Sequence, residues 1–270
     1  MRLFLRIMTW ALASGGGAIS LPAEALAADI ARIHVEAIGG QDRVNRLQSF
    51  RAAGQSQLGD VTLDFQMWAA RPRSIRIEVM MGNQTLIQGW NGLGDPWIQG
   101  GSAGVMQPMP ANVKDRFMSE SDFDTPLVNP EGQGYVLEYA GEDEVADRPV
   151  VKLLATRNLT DQSLLYLAAD TYFIVRQDRT RTDPDGTRVA TATYYSDFRP
   201  VLGVILPHQI RVYEGEKLAS DVMLSWIEPN PPMDAAMFGV VAETSVPERV
   251  EDLKAPPAEE QGERILELAN

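Results

Sequence analysis

The chain has 270 residues, carries 24 Lys and Arg against 37 Asp and Glu for a formal net charge of −13, and contains no cysteine. That much negative charge repels phosphate backbones and anionic headgroups, which excludes nucleic acid as a natural partner. The missing cysteines exclude disulfides, a thiolate nucleophile, thiolate metal ligands and a cysteine-linked lipid. At the N-terminus Arg2 and Arg6 precede a mostly apolar run, Ile7 to Leu21, broken by Gly15, Gly16 and Gly17. Ala25-Leu26-Ala27 places small residues where a signal peptidase reads them, so cleavage is expected after Ala27. The run is too short and glycine-rich for a spanning helix, which needs roughly 20 apolar residues. The expected organisation is a cleaved signal peptide at 1–27, one domain at 28–242, and an acidic, Pro-containing tail at 243–270. The mature protein is expected to be soluble and periplasmic.

Past Ala28 the apolar period is helical: Ile30, Ile33, Ala37 and Ile38 share a face, Gly39-Gly40 interrupts it, and Val44 and Leu47 resume a shorter helix. Strand alternation then takes over. Val61, Leu63, Phe65, Met67 and Ala69 alternate with Thr62, Asp64, Gln66 and Trp68, and Ile75, Ile77, Val79 and Met81 repeat the pattern. Thr85 to Trp90 reads as the next strand, followed by a turn at Asn91-Gly92 and a short segment around Trp97. Residues 100–110, rich in Gly, Met and Pro, read as a loop, and Asn112 to Met118 as a short helix capped by Asn112. Further strands are expected at Tyr135 to Tyr139 and Val150 to Ala155. Two hairpins follow: Phe173 to Arg181 with Arg188 to Tyr195 across Asp183-Pro184-Asp185-Gly186, and Gln209 to Tyr213 with Leu218 to Trp226. That makes about ten strands with antiparallel connections.

Catalytic chemistry is scarce. His34 and His208 are far apart and read as surface or packing histidines. No HExxH, GxSxG, P-loop or dinucleotide fingerprint occurs. Glu142-Asp143-Glu144 with Asp147, and Asp183 with Asp185, lack EF-hand spacing and read as a solvated loop and a turn rather than calcium sites. No metal or cofactor is expected, and the chain does not read as an enzyme. Binding has more to work with. Met67, Met80, Met81, Met106, Met109 and Met118 make six of the 11 methionines, and Trp68, Trp90 and Trp97 fall in the same third of the chain. Flexible, polarizable methionines adapt to ligands of varied shape. A large sheet with one apolar face and few helices leaves an apolar concavity.

The order of features resembles the LolA/LolB-like family of outer-membrane lipoprotein-sorting proteins. The likeness rests on the opening helix Ile30 to Gly40 with its shorter successor, on Gly89-Trp90-Asn91-Gly92 with Trp97, on Phe198 to Pro207, and on Pro232 to Phe238 as a short terminal helix. It covers about residues 28–238. The resemblance implies a mainly β (α+β) fold, an incomplete antiparallel barrel or highly curved sheet with short helices capping one face. It also implies acyl chains held in an apolar cavity, in proteins that shuttle lipoproteins, carry other lipids or sense envelope stress. It supplies no ligand-contacting residue. On chemical grounds the nominated cavity residues are Val61, Leu63, Phe65, Met67, Ile75, Ile77 and Val79, with Met80, Met81, Trp90 and Trp97 nearby. The acidic tail and the loop at 100–110 depart from a lipoprotein carrier. The leading reading is a periplasmic carrier whose partners are lipid or acylated lipoprotein and an envelope membrane protein. The alternatives are a non-catalytic sensor or adaptor and, behind both, a hydrolase.

Overall fold

The computed structural model describes residues 23–100, 104–159, 161–182 and 187–239. Two helices open it, α1 (Ala23–Ala37) and α2 (Gln41–Arg46). Six strands follow: β1 (Ser49–Leu58), β2 (Val61–Ala70), β3 (Ser74–Met81), β4 (Gln84–Trp90), β5 (Trp97–Gln99) and β6 (Met106–Pro108). After helix α3 (Ala111–Glu120) come β7 (Val136–Val145), β8 (Arg148–Asn158), β9 (Asp161–Ala168), β10 (Ile174–Thr182), β11 (Arg188–Val201), β12 (Val204–Glu214) and β13 (Lys217–Pro229). A 3-10 turn at Ala235–Phe238 ends the described chain. Of the expected signal segment at 1–27 only residues 23–27 are described, as the first residues of α1, and the acidic tail expected at 243–270 lies outside the described residues.

One 13-stranded antiparallel sheet results, in the order β6-β5-β4-β3-β2-β1-β13-β12-β11-β10-β9-β8-β7. This is the expected incomplete barrel with helices on one face. Tight turns join most neighbours, because strands close in sequence pair most cheaply. Two links differ. β13 returns to pair with β1, and the β6–β7 connection carries the chain from one sheet edge to the other. That second link contains α3, so α3 must cross a face of the sheet.

Several elements correct the sequence reading. The stretch 100–110 contains β6, which pairs with β5 (Trp97↔Pro108) rather than looping free. Helix α3 starts at Ala111 behind Pro110, ahead of the expected Asn112 cap. Glu142-Asp143-Glu144 lies in β7, not in a loop, and Asp143 pairs with Lys152 on β8 at 3.0 Å. The turn expected at 183–186 is outside the described residues, yet β10 and β11 pair in register down to Thr182↔Arg188, as a hairpin requires.

Both major helices sit on the same face. Ala27, Ile30 and Ala31 of α1 pack on Leu137, Leu153, Leu165 and Leu167 from β7, β8 and β9. Ala27 is fully buried and Leu26 packs against the same cluster, so α1 extends through the Ala25-Leu26-Ala27 run. Strand β9 is covered on both faces: Leu165 and Leu167 belong to the α1 core, while Tyr166 and Ala168 join Val150 and Val175 on the other side.

His34 illustrates how tightly α1 is seated. It is buried, its Nδ1 lies 2.8 Å from the Tyr172 carbonyl, and its Nε2 is buried with no partner among the described residues. Nδ1–H therefore donates and Nε2 stays bare. Burial holds the imidazole pKa below its ordinary value of 6.5, opposed by the Tyr172 hydrogen bond. The unfolded chain takes up this proton at higher pH than the folded one, so stability is lost as pH falls below about 6.5. The expected slope from this group is about 1.4 kcal/mol per pH unit below that point. Urea unfolding across pH 5 to 8 should show it, and His34→Asn, which keeps a donor for Tyr172 without a titrating ring, should flatten it.

Candidate functional site: the apolar inner face

Direct cross-strand partners share a face, so the register assigns each side chain to a side of the sheet. Val61, Leu63, Phe65 and Met67 of β2 face the same way as Ile75, Ile77, Val79 and Met81 of β3 and Trp90 of β4. This is the helix-bearing side. Nine of the eleven nominated residues therefore come together. Met80 and Trp97 do not. Met80 pairs with Asp64 and is 41% exposed on the opposite face, because adjacent residues in a strand alternate sides. Trp97 pairs with Gly89 on that opposite face and donates its indole N–H to the Phe238 carbonyl at 3.0 Å. Its ring lies where a Gly89 Cβ would be, at 2.4 Å, so glycine is required there.

The inner-face patch divides into a covered and an open part. Trp90 is buried with Met109, Val113 and Phe117, and Ile75, Ile77 and Met118 pack against them, so α3 seals that end. Beyond α3, Phe65, Val79, Leu86 and Leu224 are buried, while Leu63, Met67, Met81, Val222 and Ile227 are only half-buried and Val61 is 45% exposed. Sequence reasoning missed Val222, Leu224 and Ile227. A bulge between Ala53 and Gly54 in the β1–β13 register shifts the phase of β13, so these three share a face although they do not alternate regularly.

Helix α3 is tied to the far half of the sheet by polar contacts. Arg116 pairs with Glu120 at 3.1 Å and with Glu214 of β12 at 3.7 Å. Arg179 of β10 donates to the Ser119 carbonyl at 3.2 Å and to the Ser163 hydroxyl at 3.0 Å. Beside it the Tyr195 hydroxyl hydrogen-bonds the Gln177 amide at 2.9 Å. Desolvation pushes that phenol up to about 12, so it is neutral at physiological pH. The segment after α3 is clasped from both halves. Asp122 meets Arg73 of the β2–β3 turn at 2.5 Å and Arg157 of β8 at 3.0 Å, and Asp124 takes both ends of the Arg71 guanidinium at 2.7 and 2.6 Å. Each arginine also lies over an aromatic ring: Arg71 on Phe123, Arg73 on Trp90 and Arg157 on Tyr135.

Both histidines are packing residues: His208, like His34, is buried. Among the described residues no three or more His, Cys, Asp or Glu side chains gather in a metal-binding group, and no helix is long and apolar enough to cross a membrane. The geometry offers apolar area beside and beneath α3.

No protein-family model matches the sequence, and no curated protein matches it. Solved structures share the architecture. A DUF1329 family protein from Desulfovibrio piger superposes with a TM-score of 0.55 at 14% identity, covering 82% of this chain and 99% of its own. A domain assigned to outer-membrane lipoprotein sorting from Vibrio parahaemolyticus gives 0.56 at 10% identity, covering 80% and 97%. A LolA superfamily protein from Nitrosomonas europaea gives 0.52 at 13% identity, covering 79% and 97%. At such identities the likeness concerns the fold, and the fold of this chain is LolA-like.

Proposed function

We propose that the chain is an exported, non-catalytic periplasmic protein that holds the acyl chains of a lipid or an acylated lipoprotein against the inner face of β13, β1, β2 and β3. The observation that carries this reading is the row of half-buried apolar side chains, Leu63, Met67, Met81, Val222 and Ile227, lying beyond the edge of α3. Each methylene placed there contributes about 0.8 kcal/mol, so two chains of ordinary length suffice for tight holding. Swinging α3 away from Ile75, Ile77 and Trp90 would lengthen the apolar track without disturbing the strands. A second reading, a docking module for an envelope membrane protein, draws on β7, a ten-residue edge strand with Val136 58% exposed.

One experiment addresses export and cargo together: native mass spectrometry of the protein purified gently from the periplasm. The expected spectrum shows a chain beginning at Ala28 with an added mass that organic extraction identifies as lipid or acylated peptide. A chain still beginning at Met1 would sink the export reading. An apo mass that takes up no added fatty acid would sink the carrier and favour the docking module.

A further inference from the structure

The two edges of the sheet are finished differently. One ends on β6, three residues long and closed by Pro108, which has no N–H to offer a further strand. The other ends on β7, ten residues long, whose strand partner is β8. In an antiparallel pair alternate residues turn their N–H and C=O groups away from the partner, so an edge of this length holds a ladder only half made. Among the described residues no other segment takes up those groups. Beyond β8, the β7 backbone meets only the Asp143 carboxylate, which accepts from the Glu144 N–H at 2.9 Å. Helix α1 covers Leu137 on the inner face and leaves the edge open, with Val136 58% exposed and Glu138 and Ala140 exposed after it.

The charge along this edge has one sign. Glu138, Glu142 and Glu144 are exposed, and none of the three has an ion-pair partner among the described residues. Asp143 is already held by Lys152 at 3.0 Å. Glu138 stands opposite Leu154, whereas Glu142 and Glu144 stand opposite Val151 and Pro149, because the register shifts between Tyr139 and Glu142. Carboxylates therefore flank the edge on both faces of the sheet. A second copy of β7 laid against this one would set like charges opposite each other, which is destabilising. The edge thus rejects its own kind and suits a strand that carries Lys or Arg.

We infer that β7 takes up an extended basic segment of another protein, which adds to the sheet as one more strand. Main-chain hydrogen bonds to the open edge supply the hold, and the flanking carboxylates supply the choice of partner. Side chains of the added strand alternate between faces, so cations on one face meet Glu138 and cations on the other meet Glu142 and Glu144. The net charge of −13 steers a cationic segment toward the protein in the same sense. This inference rests on the docking reading of β7 and names the chemistry of its partner. The acyl-chain reading, which concerns the inner face, is independent of it.

The test titrates the full-length protein with peptides as long as β7, alternating Lys-Thr or Glu-Thr, and follows hydrogen exchange strand by strand. The Lys-Thr peptide should bind saturably and slow exchange in β7, and the Glu-Thr peptide should do neither. Two further Lys-Thr peptides, N-methylated at every Lys or at every Thr, keep the charge but each lose the donors of one strand edge. One of the two should bind about tenfold more weakly than the unmethylated peptide. Glu138→Gln, Glu142→Gln and Glu144→Gln combined should weaken the Lys-Thr peptide by about tenfold as well. Equal protection by the Glu-Thr peptide, or indifference to the combined variant, would overturn the basic partner and keep β7 as a docking strand. Equal binding of all three Lys-Thr peptides would reduce the contact to charge and overturn strand addition. No protection of β7 by any peptide would sink the inference together with the docking reading.

Discussion

Asp122→Asn should lower stability by about 2–3 kcal/mol, somewhat less than the loss of one partner from a fully buried ion pair. Asp122 is 12% exposed and forms ion pairs with Arg73 of the β2–β3 turn and Arg157 of β8, which belong to parts of the sheet far apart in its strand order. Arg157 keeps Asp161 at 2.5 Å after the substitution, but Arg73 keeps only its stack on Trp90 at 5.2 Å. The cost therefore falls on Arg73, whose charge has no other carboxylate partner among the described residues. Because the pairs are largely shielded from solvent, the loss should persist at high salt, where an exposed pair would already be screened. Urea unfolding of wild type and variant at low and high ionic strength measures this directly. A difference that vanishes in salt would show the clasp to be a surface contact.

Gly54→Val should cost about 3 kcal/mol or more, the upper end for overpacking a closely fitted site. A Cβ at Gly54 would lie 2.1 Å from the Met223 carbonyl oxygen and 3.0 Å from the Leu224 Cα, both backbone atoms. No side-chain rotation relieves that clash, so β1 and β13 would have to separate at the bulge. This pairing is the one that closes the two ends of the chain into a single sheet. Thermal unfolding followed by circular dichroism is the check, and hydrogen exchange should show loss of protection first in β1 and β13. Unchanged protection there would mean that the close approach is not what holds the centre of the sheet together.

Strand β1 also shows where sequence reading stops. Its residues, Ser-Phe-Arg-Ala-Ala-Gly-Gln-Ser-Gln-Leu, have low strand propensity and weak alternation, yet it is a central strand between β2 and β13. Small residues are needed because its neighbours approach closely, and that need arises only once β13 is in place. Strand β9 was missed for the opposite reason: Leu164 to Ala168 is an apolar run with no alternation, since both its faces are covered. By contrast β2 and β3 were legible residue by residue, because one face meets an apolar interior and the other meets polar groups. That alternation brought Val61, Leu63, Phe65, Met67, Ile75, Ile77, Val79, Met81 and Trp90 to one side. Nominating Met80 and Trp97 from composition alone ignored the period of two, and both belong to the other face.

By itself the sequence determined the fold class of the protein: helical period at the start, two-residue period after it, and turn residues between. These are local properties, set by backbone geometry and by which side chains avoid water. Only the tertiary structure decided that the β6–β7 link with α3 runs from one sheet edge to the other, and that Asp122 joins the two halves of the sheet. Each of these depends on residues brought together from distant parts of the chain, whose spacing carries no periodic signal. Pairing across the sheet, and not propensity along it, put them in reach of one another.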